Sequence, residues 1–299
     1  MRAGFRCAPI RRRGALVGKP LVLQTGTEPY PGYRLTQLMG RGGWGQVWRA
    51  ERDADRKCFA LKFLPCDSQM AVPYEVRALQ AIKALSHPHI LRMEQIWSCQ
   101  GFLVIVMELA EGNLHDLLDV YYTELDTALP ADHVCHFLKQ AAQAIDFLNA
   151  RQHLVDGNKV AFRHCDIKPS NLLLVDGNVK VGDFGLAFKT SVRIGPITRT
   201  GTLDYAAPEV LLGQFSDRSD QFSLAATYFQ LRTGELPFAR PATDNQPARF
   251  RPPVDLSLVT AEERPILARA FHNVPQARWD SCVEMMKRLA DCLAKKSVA

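Results

Sequence analysis

The hydrophobic pattern of this chain changes period part-way along, and that change sets the fold class. From Tyr33 to Leu64 the sequence alternates and turns as a sheet does, with Leu35 and Leu38, a glycine cluster at 40–45, then VWRAERD and CFALKFL. Three antiparallel strands are predicted there. Past Pro73, Val76, Leu79, Ile82 and Leu85 recur at helical spacing until HPHIL ends the run, and two more strand-like runs follow at 90–97 and 102–109. Beyond residue 110 the period becomes helical. Asp132 stands as an N-cap before a face of Val134, Phe137, Leu138, Ala141, Ile145 and Leu148, and helical patterns recur at 219–232, 260–271 and 279–294. The expected class is α+β: a small β-rich lobe with one main helix, and a larger, mostly helical lobe.

Turn chemistry fills in the second half. LLLVDGNVKV, with Asp176-Gly177-Asn178 at its turn, reads as a hairpin. HLVDGNKV at 153–160 reads as a second hairpin of convergent composition rather than a repeat, and the four prolines of 239–253 mark an irregular surface loop.

Charge and cysteine usage exclude several classes. The net charge of +6 comes from residues 1–20, which hold Arg2, Arg6, Arg11, Arg12, Arg13 and Lys19 and no acid, leaving 31 basic and 31 acidic groups elsewhere. A neutral body gives no nucleic-acid surface, and the stretch 1–32 is expected to be a basic, flexible arm. Its apolar run Ala15–Val17 is too short for a signal-peptide core, and Phe102–Met107 is strand-length, so no transmembrane segment is expected. The eight cysteines are scattered singly without a Cys-x-x-Cys pair, which supports neither a zinc site nor a disulfide framework and points to a reducing cytoplasm.

Several short stretches bear on chemistry. GRGGWGQV places Gly40, Gly42 and Gly45 so that a backbone without Cβ atoms can approach phosphates, although a glycine-rich hairpin is also an ordinary turn. A strand follows, which disfavours a dinucleotide fold. Lys62 in FALKFL is flanked by apolar residues; buried, it needs a carboxylate partner, for which Glu75 is the candidate, and at a strand edge it would snorkel. Downstream come His164-Cys165-Asp166, Lys168, Asn171, Asp183-Phe184-Gly185 and Ala207-Pro208-Glu209. Phosphoryl transfer needs a carboxylate to orient a hydroxyl, oxygen ligands for Mg²⁺ and nearby cations, and Asp166, Asn171 with Asp183, and Lys168 supply these in order.

With these motifs the sequence resembles the catalytic domain of eukaryotic-type protein Ser/Thr kinases, most closely the bacterial members, over residues 33–292. The resemblance implies the bilobal protein-kinase fold, with an N-lobe at 33–110, a C-lobe at 111–292 and a tail at 293–299. It implies that Gly40, Gly42, Gly45 and Val47 cover ATP, and that Lys62 holds the α- and β-phosphates while pairing with Glu75. Met107 resembles the gatekeeper, with Glu108 and Ala110 as the backbone that bonds adenine. Asp166 resembles the catalytic base, Lys168 the γ-phosphate contact, and Asn171 and Asp183 the Mg²⁺ ligands. Thr202 in GTLDYAAPE and the lysine two residues after the base match the Ser/Thr branch, so the partners implied are protein substrates with Ser or Thr hydroxyls. Asp220 resembles the acid that braces the catalytic loop, and Arg278 the partner of Glu209.

Three departures stand out. Glu75 precedes His87-Pro88 by about one helical turn more than is usual, and the stretch 151–162 is longer than usual, read as an inserted surface hairpin. Cys165 replaces the arginine that in most relatives neutralises a phosphorylated activation loop, and a thiol offers no permanent charge and no bidentate pair. Phosphorylation at the available Thr198 and Thr200 is therefore not expected to be a strict on-switch, and Cys165 is read as a semi-buried filler. A catalytically dead scaffold would lack Lys62, Asp166, Asn171 or Asp183, and all are present. A small-molecule kinase of the aminoglycoside or choline type would share the base and metal residues but not GTLDYAAPE.

Overall fold

The structure, a computed structural model, describes residues 21–42, 45–65, 79–155, 157–184, 202–238 and 253–296. Five antiparallel strands, β1 (Tyr33–Gly42), β2 (Gly45–Arg52), β3 (Cys58–Pro65), β4 (Met93–Cys99) and β5 (Phe102–Glu108), form one sheet in the order β1-β2-β3-β5-β4. The period of two divides β3 between two cores. Phe59, Leu61 and Phe63 join Leu35, Trp48, Val104 and Val106 on one face. Ala60 lies with Ile105, Met107, Leu79 and Ile82 on the other. Residues 79–83 are helical, as the apolar spacing predicts, while Glu75 lies outside the described residues.

Residues 21–32, part of the stretch expected to be an arm, lie along the sheet. Leu21 and Leu23 pack on the outer core, and the Tyr30 ring lies 4.7 Å from that of Trp97. The Leu35 N–H donates to the Thr27 carbonyl and its own carbonyl accepts from Gly26 N–H, both at 2.8 Å, so this stretch seals the free edge of β1. Apolar burial outweighs the composition of the preceding basic stretch.

Beyond the sheet, β6 (Gly112–Asn113) leads into α1 (Leu114–Thr123). Helix α2 (Ala131–Asn149) buries Val134, Leu138, Ala141, Ile145 and Leu148 completely, the face its spacing predicts. Its N-cap is Pro130 rather than Asp132, which lies in the first turn, where a carboxylate still favours the helix N-terminus. A fixed proline φ of −55° starts the helix two residues earlier than capping by Asp132 would. Helices α3 (Ser219–Thr233), α4 (Glu263–Ala270) and α5 (Cys282–Lys296) complete the core. Helix α3 stops at Gly234, whose φ of 76° is the left-handed cap conformation. Among the described residues no helix is long and apolar enough to cross a membrane.

Both expected hairpins form. The strands β7 (His153–Val155) and β8 (Asn158–Val160) make the inserted one, after which Phe162 N–H returns to the Leu148 carbonyl at 2.8 Å. The other, β9 (Leu172–Val175) with β10 (Asn178–Val181), turns through Asp176 and Gly177 at φ 50° and 71°. Positive φ at both turn positions is what a tight two-residue hairpin requires. Strand β9 also pairs with β6, making a small three-stranded sheet whose Leu172, Val175, Val179 and Val181 join the same core as Ala60. The loop at 239–252 lies outside the described residues.

Candidate active site

The segment His164–Asn171 is held from below by one carboxylate. Asp220, on the first turn of α3, accepts the N–H of His164 at 2.9 Å and of Cys165 at 2.7 Å. Its burial at 1% exposure suits a group whose two oxygens both take backbone donors. His164 Nε2 donates to the Gly182 carbonyl at 2.8 Å, while Nδ1 accepts from Asp166 N–H at 3.3 Å, so the two bonds fix the tautomer. Its ring centroid lies 5.1 Å from that of buried Phe184.

On this support three predicted side chains converge. Asn171 Nδ2 donates to the Asp166 carbonyl at 2.7 Å and to Asp166 Oδ2 at 2.9 Å. Lys168 Nζ lies 3.0 Å from the same Oδ2. Asn171 also closes on the neighbouring strand, for its carbonyl accepts from Gly182 N–H at 3.0 Å. That bond sets Asp183 beside Asn171. Asp183 has a φ of 56°, and its Oδ1 meets Lys62 Nζ at 2.5 Å. Lys62 is buried at 8% exposure, and the pairing satisfies the requirement that a lysine in this position find a carboxylate. The predicted Lys62–Glu75 pair involves a residue outside the described ones.

The nucleotide-side residues lie along the sheet. Val47 is opposite Lys62 across β2 and β3, and Ala60 opposite Met107 across β3 and β5. Gly42 pairs with Gly45, with residues 43–44 outside the described ones. A Cβ at Gly45 would stand 1.9 Å from the Phe63 carbonyl oxygen and its φ is 130°, so only glycine fits there. Gly40 and Gly42 meet nothing within 4 Å and face open space. Glu108 N–H donates to the Arg92 carbonyl at 3.0 Å, and Ala110 lies partly buried against the main core.

Cys165 is buried, with φ 61°, and burial pushes its thiol well above the ordinary range, the Asp220 carboxylate acting in the same direction. A protonated buried thiol is a packing group. Its neighbour Arg163 pairs with Asp217. Thr198 and Thr200 lie outside the described residues, as does the Thr202 side chain. Below the site, Arg278 makes two 2.7 Å bonds to the two oxygens of Glu209, both residues buried. One neighbour escaped the sequence reading: Tyr205, whose hydroxyl donates to Gln230 and is pushed up to about 12 by burial together with the negative charges of Asp204 and Asp166. Its only signal is its place four residues before Glu209.

A family model described as the protein kinase domain matches residues 33–297. The serine/threonine-protein kinase PknF of Mycobacterium tuberculosis is 31% identical over 278 residues, covering 87% of this chain and 56% of that protein. CBL-interacting protein kinase 4 of Oryza sativa subsp. japonica is 34% identical over 224 residues, covering 71% and 46% respectively. The chain thus spans about half the length of these relatives. The fold is similar to that of the crystal structure of the M. tuberculosis PknI kinase domain, with a TM-score of 0.70, 23% identity, and coverage of 91% of this chain and 100% of that one.

Proposed function

Because the chain belongs to the protein kinase family, we propose that it transfers the γ-phosphate of ATP to Ser and Thr hydroxyls of protein substrates, with 33–292 as the catalytic unit. The observation that carries this reading is the convergence of Asp166, Lys168 and Asn171 with the Lys62–Asp183 pair. Asp166 orients the substrate hydroxyl and takes its proton, held in place by the bonds from Asn171 and Lys168. Lys168 then faces the transferring group as a cation, and Lys62 with the β1–β2 glycines holds the remaining phosphates.

The donor set fits Mg²⁺. Asn171 commits its Nδ2 to Asp166, which leaves its carboxamide oxygen as a hard donor, and the Asp183 carboxylate follows the Gly182 whose N–H bonds the Asn171 carbonyl. When bound, Mg²⁺ supplies charge neutralisation on the phosphates. ATP fits the sheet side, where Gly40 and Gly42 are open to solvent and the Glu108–Ala110 backbone follows Met107.

Cys165 supports a second part of the reading. A neutral, buried thiol offers no cation to an activation-loop phosphate, so phosphorylation at Thr198 or Thr200 is not a strict on-switch. The test is transfer to a generic basic protein by wild type and Asp166→Asn. The variant should lose activity by about 10³-fold while keeping ATP binding within about twofold. A variant with wild-type transfer would overturn the assignment.

A further inference from the structure

Glu108 does more with its side chain than a residue used only for its backbone requires. Its carboxylate oxygens both accept from Lys180 Nζ, at 2.8 Å each, and Oε1 also accepts from Arg92 N–H at 2.6 Å. The two charged side chains are only 15% and 20% exposed. A lysine so placed loses much of its hydration, and a single carboxylate holds it.

The position of Lys180 gives that bond a meaning. Lys180 lies on β10 opposite Leu173 of β9, three residues before Asp183, while β9 begins immediately after Asn171. The hairpin therefore carries both expected Mg²⁺ ligands at its open end. Its β10 strand is tied by backbone bonds to the segment before Arg92, with Leu91 N–H donating to Val181 and Val181 N–H to His89, each at 2.9 Å. Arg92 in turn exchanges bonds with Glu108 through both its N–H and its carbonyl. On the other side of residues 108–110, the stretch expected to bond adenine and here called the hinge, Glu111 N–H donates to the Leu174 carbonyl of β9. The Glu108–Lys180 pair is the side-chain bond across this frame, joining the backbone expected to bond adenine to the strand that ends at the metal ligand.

We propose that Lys180 is a nucleotide-positioning residue: through Glu108 it fixes how far the β9–β10 hairpin, with Asn171 and Asp183, stands from the hinge. The inference rests on the kinase reading and deepens it. Removing the bond should let the hairpin shift relative to the hinge. A ligand that touches only the hinge would not register that shift, whereas one that spans hinge and metal ligands would.

The test compares Lys180→Met, Lys180→Arg, Glu108→Gln and the Glu108→Gln/Lys180→Met double variant by titration with adenosine and with Mg-ATP, and by steady-state kinetics. Lys180→Met should weaken Mg-ATP binding and raise KM for ATP about fivefold, with adenosine affinity and kcat within about twofold. Lys180→Arg should restore Mg-ATP binding, and the double variant should be no weaker than either single one. Unchanged Mg-ATP affinity in Lys180→Met, or equal losses for adenosine and Mg-ATP, would overturn the proposal. Should Lys180→Met fail to fold, Lys180→Gln carries the same comparison with the same two outcomes. Wild-type protein that binds no Mg-ATP would overturn the kinase reading itself, a result distinct from those.

Discussion

The loop His164–Asn171 and the glycine hairpin, which the proposed function assigns to one reaction, are built in opposite ways. In His164–Asn171 the side chains are cross-tied: Asp166 holds Asn171 and Lys168, His164 holds Gly182, and Asp220 holds the backbone from a buried helix. Around the glycines, Leu38 and Met39 are exposed at 39% and 46%, and Gly40 and Gly42 have no neighbour for a side chain to meet. On the proposed function, chemistry that depends on sub-ångström placement is anchored in the helical core, while the part that would admit and release nucleotide is left at the sheet edge. Gly45 is the exception within the hairpin, because there the backbone of β3 closes in.

The sharpest way to break this contrast is at the base of the anchored region. Arg278 is fully buried against Glu209, so Arg278→Leu should strand a buried carboxylate and cost about 3–5 kcal/mol, read as a lowered denaturant midpoint. If the midpoint held, the helical core would not be the anchor described. Next comes Gly45→Ala, where both the clash with Phe63 and the positive φ oppose a side chain, and a loss of about 2 kcal/mol is expected. Gly40→Ala, in open space, should change stability by less than about 0.5 kcal/mol. Equal effects at the two glycines would erase the distinction between the glycine that β3 closes on and the one that faces open space. Smallest should be the effect of Thr198→Ala/Thr200→Ala, which is expected to lower kcat less than about threefold, because Cys165 supplies no cation for phosphate there. Near-complete loss of activity would show that another group does that work.

Cys165 sharpens the comparison through pH. Its thiol is protonated and buried, so in the native protein an aqueous disulfide reagent should leave it unlabelled at pH 8, with labelling appearing on unfolding. Peptide mapping of the labelled cysteines checks this. Native labelling at pH 8 would mean that the catalytic loop opens far more than its hydrogen bonds indicate.

What was legible in the sequence was local. The β9–β10 turn is written in Asp176-Gly177, the face of α2 in the spacing of Val134, Leu138, Ala141 and Ile145, and the loop chemistry in the few residues between His164 and Asn171. Helix α1 was also written, in the Asn113 and Asp116 side chains that cap it, but its run is short and its apolar signal weak. Asp132 misled because side-chain capping was read where Pro130 had already set the backbone. That Asp183 reaches Lys62 could not be read from the sequence. Whether Asp183 reaches it depends on a left-handed φ and on the Asn171–Gly182 bond, which bring together residues 121 positions apart. The packing of 21–32 was hidden for a similar reason, since Leu21 and Leu23 show their role only against the face they cover.

The central claim is that the anchored loop transfers phosphate to hydroxyls of protein. Incubating the purified chain with γ-labelled ATP, Mg²⁺ and a generic basic protein, then mapping the label by mass spectrometry, tests it most directly. Label is expected on Ser and Thr alone, and it should be abolished in Asp166→Asn. No incorporation by the wild-type chain, or label found only on tyrosine, would contradict it.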